Sequence, residues 1–509
     1  MHEISVCRFY SVRVLNKSNA DPSNVGPMTI DMLSDDVLVE IFDFYVNLDY
    51  TPHRWHALVH VCRRWRYLVF ALPRRLNLRL EYEGRRPFSE VLDTWPVLPV
   101  ILIPSSFHLP DSKSDERCDN GVTALQSEHY NRICEIRISN IIGERWERFA
   151  AAMQKPFPEL TRLELWLGNG DLVPVLSDSF LGGSAPRLRE LILSEVPFPS
   201  LPKLLLSAQG LVKLLLEIPD SGYFSPEAMA TALTVMTRLE SLEIRFSDPQ
   251  SFPDPASQLP PLTRFVLPAL TQLEFNGDYE YLEDLLLRID APLLSSLSII
   301  FFMDPYIDLP QLHRLLGDVE KFKAFDHAQM VISDATIHLD FYRKTGTVYH
   351  WGGFVLGVGY GWPVRELWSF AQVCSSSFPF ISTLEELEIK DEHPWSSGVP
   401  VERWMADIES DHWLELLDPF TTLKGLYLTD KTAPHVCNAL LELSIERVTE
   451  VLPGLQSVLI SGYPPEGSRQ IIKIFFAARQ CSGHPVSVHN RSWDGEWRDV
   501  TEDLASGDW

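Results

Sequence analysis

The sequence predicts an α/β chain. A short N-terminal module of three helices comes first, followed by a long, irregular solenoid of leucine-bearing units whose strands form a curved parallel sheet. Two patterns carry this prediction. Residues 30–72 hold two apolar-striped stretches at helical spacing, divided by a polar connection. From residue 133 to residue 460 a phrase of the form L-x-x-L-x-L keeps returning. The composition agrees, since hydrophobic residues make up 45% of the 509 positions, enough for a continuous packed core.

Residues 1–27 lack the uninterrupted apolar core and cleavage site of a secretory signal, and their Asn, Ser, Asp and Pro content predicts a flexible leader. The helical module spans residues 28–75. Ser34, Asp35 and Asp36 suit a helix start, where side-chain oxygens cap free N–H groups and negative charge meets the positive end of the dipole. Leu38, Ile41, Phe42 and Tyr45 follow at i, i+3, i+4 and i+7 and share one face. After the connection LDYTPHR, Trp55, Leu58, Val59 and Cys62 repeat that spacing, and Val61, Trp65 and Leu68 form a second apolar row. A helix apolar on two rows has more surface to hide than one partner helix can cover, and about forty residues are too few to bury it alone. The module should dock on something else.

The pattern resembles an F-box, the short helical module that plugs substrate adaptors into cullin-type ubiquitin ligases. The matching residues are Leu33, then Val37 through Phe42, then Trp55, Leu58, Val61 through Trp65, Leu68 and Val69. Ser34 stands where the family usually has Pro, and the connection is a little long. The resemblance implies that Leu33, Leu38, Ile41, Phe42, Val61, Cys62, Trp65 and Leu68 contact a small Skp-type adaptor and, through it, the cullin scaffold. A helical hairpin that caps the next domain is the alternative reading of these residues.

Residues 76–490 form the repeat region. The phrase appears as Leu160/Leu163/Leu165, Leu188/Leu191/Leu193, Leu211/Leu214/Leu216, Leu239/Leu242/Ile244, Leu270/Leu273/Phe275 and Leu294/Leu297/Ile299. It resumes as Leu384/Leu387/Ile389, Leu423/Leu426/Leu428 and Leu455/Val458/Ile460, with weaker copies at Ile133/Ile136/Ile138 and Val319/Phe322/Ala324. Between residues 133 and 319 the copies start 23 to 31 residues apart, the period of a leucine-rich repeat, in which each unit gives one strand and one return segment. A single unit cannot bury its leucines, so only stacking of neighbours makes a core. The Asn or Cys that such repeats commonly carry three residues after the last leucine is missing, which predicts irregular coils. Residues 226–236 and 279–289 predict helical return segments. Between residues 325 and 383 the period breaks, and residues 332–357 alternate as a hairpin that either continues the same sheet or stands as a separate insertion. Two compact α/β domains divided near residue 330 are the rival architecture. A helix over 467–480, a strand over 485–489 and an acidic, mobile tail over 491–509 complete the reading.

No catalytic or cofactor pattern stands out. Gly357 to Gly361 lacks the spacing of a phosphate loop and reads as a turn. His53, His56 and His60 share a helix face without a cysteine pair or acidic partner at ligand spacing, so neither a metal nor a cofactor is expected. Lys plus Arg (44) against Asp plus Glu (69) gives a net charge of −25, which argues against nucleic acid or anionic membrane as partner. No apolar run reaches membrane-spanning length. Seven scattered cysteines are the usage of a reduced cytoplasmic or nuclear protein.

The residues alternating with the strand leucines point away from the core and carry acids and bases in near balance, such as Arg162/Glu164/Trp166, Lys213/Glu217, Glu243/Arg245, Lys321/Lys323/Phe325 and Tyr427. Such a surface suits protein recognition, with Arg162, Trp166 and Tyr427 as candidate target contacts and Tyr349, Trp351, Tyr360 and Trp362 as further aromatic anchors. The whole chain is similar to the F-box/leucine-rich-repeat proteins, particularly the degenerate, acidic ones of fungi. That resemblance implies a non-enzymatic adaptor that holds an unknown target protein for ubiquitin transfer. A leucine-rich scaffold without a role in ubiquitin ligation is the alternative.

Overall fold

The computed structural model describes residues 30–47, 54–73, 75–94, 97–103, 111–139, 141, 143–167, 175–199, 201–219, 222–247, 264–302, 309–319, 322, 325–333, 336–345, 348–359, 367, 370–374, 378, 381–391, 408–443, 450–491 and 497–506. It divides between Leu80 and Glu81 into two compact units, a few residues beyond the boundary expected at 75.

Among the described residues the first unit holds a 3-10 turn, Ile30–Met32, and three α-helices, α1 (Asp35–Asn47), α2 (Trp55–Val59) and α3 (Arg63–Ala71). Ser34 starts α1 as expected: its carbonyl accepts from the Leu38 N–H at 3.0 Å, and Asp35 and Asp36 occupy the first turn. The second apolar stretch is two helices rather than one. His60 and Val61 bond back three residues, to Ala57 and Leu58, which tightens the end of α2. Cys62 is then extended and caps α3, its sulfur accepting from the Trp65 N–H at 3.4 Å. Leu38, Phe42, Trp55, Val59 and Val69 are buried in this unit. The Phe42 and Trp65 rings lie 4.7 Å apart, and the Trp55 indole donates to the Arg79 carbonyl at 2.9 Å.

The second unit is α/β, built on a large, mostly parallel sheet. Its strands are β1 (Leu80–Tyr82), β2 (Val100–Leu102), β3 (Ile133–Ser139), β4 (Arg162–Trp166), β5 (Glu190–Ser194), β6 (Lys213–Ile218), β7 (Ser241–Phe246), β8 (Phe265–Val266), β9 (Gln272–Gly277) and β10 (Ile289–Asp290). They continue as β11 (Ser296–Phe302), β12 (His327–Ile332), β13 (Thr336–Thr345), β14 (Val348–Gly359), β15 (Glu386–Asp391), β16 (Gly425–Thr429), β17 (Ser457–Ser461), β18 (Ser487–Arg491) and β19 (Trp497–Asp499). β8 and β10 pair with each other, and the other seventeen form one sheet.

The leucine phrase has a repeated hydrogen-bond signature. Its first leucine sits in a tight turn before the strand, and the N–H bonds three residues back: Leu188 to Ala185, Leu211 to Ala208, Leu239 to Met236, Leu270 to Leu267, Leu423 to Phe420. The next two residues then share one carbonyl of the neighbouring unit, as when Val212 and Lys213 both donate to Arg189, and Glu240 and Ser241 both donate to Val212. This locks each strand beside the last before its own ladder begins. The middle leucines consequently fall in register. Leu102, Ile136, Leu163, Leu191, Leu214, Leu242, Leu273 and Leu297 pair from strand to strand, each 2% exposed or less. Helices return between strands on the covered side. Pro226–Leu233 starts at a Ser225 cap and Tyr279–Arg288 at an Asp278 cap. Tyr279–Arg288 packs between Pro226–Leu233 and Pro310–Asp318.

The break in period has a specific form. β12, β13 and β14 enter the sheet in reverse order: β11 pairs with β14, β14 with β13, β13 with β12 and β12 with β15. The expected hairpin is therefore β13–β14, and it belongs to the same sheet. Of the weak copy at Val319/Phe322/Ala324, neither Val319 nor Phe322 is in a strand, and Ala324 lies outside the described residues. Val319 closes the helix Pro310–Asp318 through a bond to Leu315, and the strand starts at His327 instead. Phe325 is core rather than face, packed against Phe322 and Phe341. Gly357 and Gly359 lie in β14 rather than in a turn. A Cβ on Gly357 would come within 2.9 Å of the His338 Cβ, which explains a glycine beneath a crossing side chain. At the C-terminal end β18 pairs antiparallel with β19, and a helix Thr501–Ser506 follows, with Val500 and Leu504 buried. The expected acidic tail thus contains a strand and a helix.

Candidate partner-binding surfaces

In the first unit α1 is apolar on two sides. Leu38, Phe42 and Val46 turn inward, whereas Val37, Ile41 and Phe44, at i, i+4 and i+7, are 44%, 41% and 71% exposed. Ile30, Met32, Val61, Tyr67 and Leu72 are also exposed. Eight of the seventeen large exposed hydrophobics among the described residues therefore fall within residues 30–72. Single exposed apolar residues are ordinary, but such a concentration within about forty residues is not. The unit is held in shape by polar ties. The Arg64 guanidinium bonds to the Leu33 carbonyl at 2.6 Å and to Asp35 Oδ1 at 2.7 Å, pinning α3 to the start of α1. Arg66 donates to the Val59 carbonyl at 2.8 Å, and Arg75 pairs with Glu40.

The candidate adaptor contacts thus separate into three groups. Leu38, Phe42 and Leu68 are buried and shape the unit; Ile41 and Val61 are exposed; Leu33, Cys62 and Trp65 are half-buried. Val37, Phe44 and Tyr67 belong with the exposed group; the sequence reading matches Val37 to the F-box pattern without making it an adaptor contact, and misses Phe44 and Tyr67. The i, i+4, i+7 row of Val37, Ile41 and Phe44 is visible in the sequence, but it competes there with the stronger row one residue on. His56 is half-buried beside the Trp55 ring and His60 is exposed, while His53 lies outside the described residues.

The open face of the sheet carries a lattice of ion pairs set by strand register. Arg137 reaches Glu135 at 2.8 Å and Glu164 at 3.9 Å; Arg162 reaches Glu164 at 3.2 Å and Glu190 at 2.7 Å. Burial, and then the nearby Arg162, hold the Arg137 pKa below its ordinary value. Trp166 is half-buried and donates its indole N–H to Glu164 at 2.8 Å, so it is tied to the same lattice. Further along, Glu243 and Glu274 stand directly opposite each other on β7 and β9, and Arg245 bridges them at 2.5 and 2.6 Å. Burial, and then Glu274, raise the Glu243 pKa. Arg162, Trp166 and Tyr427 occupy one face of the sheet but not one cluster. Tyr427 lies on β16, donates to Glu386 at 3.1 Å and meets the Trp497 ring at 6.0 Å. Trp497 is a neighbour that the sequence reading places in the tail. Lys321, Lys323, Tyr360 and Trp362, and the side chains of Tyr349 and Trp351, lie outside the described residues.

Among the described residues no helix is long and apolar enough to cross a membrane. Neither a scan against protein-family models nor a search of curated proteins finds a match for this chain.

Proposed function

We propose that this chain is a substrate-recruiting adaptor of a cullin-type ubiquitin ligase. In this reading the first unit is an F-box that docks on a Skp-type adaptor, and the second is a leucine-rich-repeat solenoid that holds a target protein. The observation that supports it best is the outward row Val37, Ile41 and Phe44 on a helix whose opposite side is already buried. An apolar row of this kind is covered by a partner helix or groove when it works, and the F-box resemblance, which includes Val37 and Ile41 of this row, names the partner class. The adaptor does no bond chemistry itself; it raises the concentration of the target near a charged conjugating enzyme. On the sheet face, Arg162, Trp166 and Tyr427 are the proposed target contacts, each held by a carboxylate that sets its orientation.

Co-expression of the full chain with a Skp-type adaptor, followed by purification on a tag carried by the chain, tests the proposal. A stoichiometric complex is expected. A chain that purifies alone while remaining folded is a scaffold without this role.

A further inference from the structure

His327 opens β12 on the open face of the sheet and is 7% exposed. Its Nδ1 lies 2.6 Å from Asp326 Oδ1, and its Nε2 lies 2.9 Å from Glu386 Oε2 on β15. The second contact is an ion pair across the two strands when the ring is protonated. A neutral imidazole has only one N–H, so whichever nitrogen lacks it turns a lone pair towards a carboxylate. The protonated ring attracts both. The other titratable groups around it, from each strand packed beside it, are Tyr342 and Asp340 on β13, Glu388 and Lys390 on β15, and Tyr427 on β16. Tyr342 is its register partner, with ring centroids 5.6 Å apart, and Tyr427 donates to the same Glu386.

The position of this triad matters. β12 and β15 form the seam at which the sheet resumes its ordinary order after the three reversed strands, and His327 and Glu386 are register partners across it. We propose that Asp326, His327 and Glu386 form a proton-operated latch on this seam, closed while the imidazole carries its proton. Burial pulls the His327 pKa down, but the hydrogen bonds and charges of Glu386 and Asp326 outweigh it and raise the pKa overall. The latch contributes fully below the ordinary histidine value of about 6.5 and is lost as pH rises through the raised value of the folded chain. Opening it removes the imidazolium charge from between Asp326 and Glu386, while the Tyr427 hydroxyl still donates to Glu386. The face around Tyr427 then becomes more negative.

Two measurements on the full chain test this. With histidine labelled at Cε1, the signal absent from His327→Gln should titrate above the ordinary histidine value in the wild type, and Glu386→Gln should lower its midpoint. In thermal unfolding from pH 5.5 to 9, the advantage of the wild type over His327→Gln should be largest at the acid end and shrink as pH rises. A midpoint at or below the ordinary value, or an advantage that does not change with pH, overturns the proposal. If His327→Gln does not fold, Glu386→Gln carries the test by itself, and a histidine midpoint that it leaves unmoved overturns the latch equally.

Discussion

Replacing Phe44 with Asp separates docking on the outward row of α1 from folding. The ring is 71% exposed, so little packing is lost in the free chain. A surface substitution of this sort should shift stability by no more than about 0.5 kcal/mol. The cost appears on binding. Complete burial of a Phe side chain contributes about 1.5–3 kcal/mol, and the exposed share still open to a partner is then about 1–2 kcal/mol. That corresponds to roughly a five- to thirty-fold change in Kd, and a carboxylate forced into apolar contact raises the cost further. Titration calorimetry of the purified chain with a Skp-type adaptor is the assay, with circular dichroism and Tm as the control for folding. Phe44→Asp should weaken binding at least about tenfold at unchanged Tm. Wild-type affinity in the folded variant would refute the reasoning, because it would mean that the outward row of α1 touches nothing.

Phe42→Ala should act in the opposite way: the ring is fully buried against Trp65, so the substitution should cost about 3–5 kcal/mol and melt the first unit, as read by denaturant unfolding. Leu242→Ala, in the middle of the leucine row, should cost about 2–5 kcal/mol in the second unit and leave adaptor binding intact in the same calorimetric titration. Gly277→Ala would place a Cβ 2.6 Å from Phe246 Cδ2 and should lower stability by about 1–3 kcal/mol. Glu243→Gln should raise Tm at pH 7, because burial and the facing Glu274 hold the Glu243 pKa above its ordinary value and disfavour the ionised form in the folded chain. The gain should vanish in melts below the ordinary carboxylate value of about 4.3, where the wild-type side chain is itself neutral.

The repeats are legible in the sequence because three separate physical demands fall on the same phrase. The first leucine fills the turn, the second and third fill the strand side facing the helices, and their spacing satisfies all three at once. Leu239, Leu242 and Ile244 are each within 1% of full burial for that reason. The same logic marks where the reading fails. Val319 and Phe322 are also buried, but Val319 closes a helix and Phe322 sits in a 3-10 turn, and burial by itself does not distinguish a strand from either. The strand His327–Ile332 supplies its core residues as Ala328, Met330 and Ile332, a small and mixed set without leucine periodicity. In the first unit the sequence reading puts Ile41 on one face with Leu38 and Phe42, whereas the structure buries Leu38 and Phe42 and turns Ile41 outward. Leu38 and Phe42 win the interior because the Trp65 ring lies against Phe42, a long-range contact that periodicity does not encode. The ties from Arg64 to Leu33 and Asp35 are equally silent in the sequence.

The reversed segment also explains why the repeats can resume at Leu384 with the same pattern they had at Leu294. A parallel sheet tolerates an antiparallel insertion only if the strands on either side still run the same way, and three strands restore that direction where two would invert it. β14 is parallel to β11, β13 opposes both of its neighbours, and β12 is again parallel to β15. The core row crosses the insertion without a gap, from Leu297 through Phe354, Phe341 and Ala328 to Leu387, all of them 1% exposed or less. The larger rings at Phe354 and Phe341 stack at 5.2 Å, and the small Ala328 follows them where β12 meets the next repeat. Side-chain volume is thus redistributed along the row while its parity is kept. Parity is what a one-residue slip would destroy, since every inward residue would then face solvent. The insertion therefore changes the chemistry of the open face without disturbing the core beneath it, and the His327 triad sits on the far edge of that changed face.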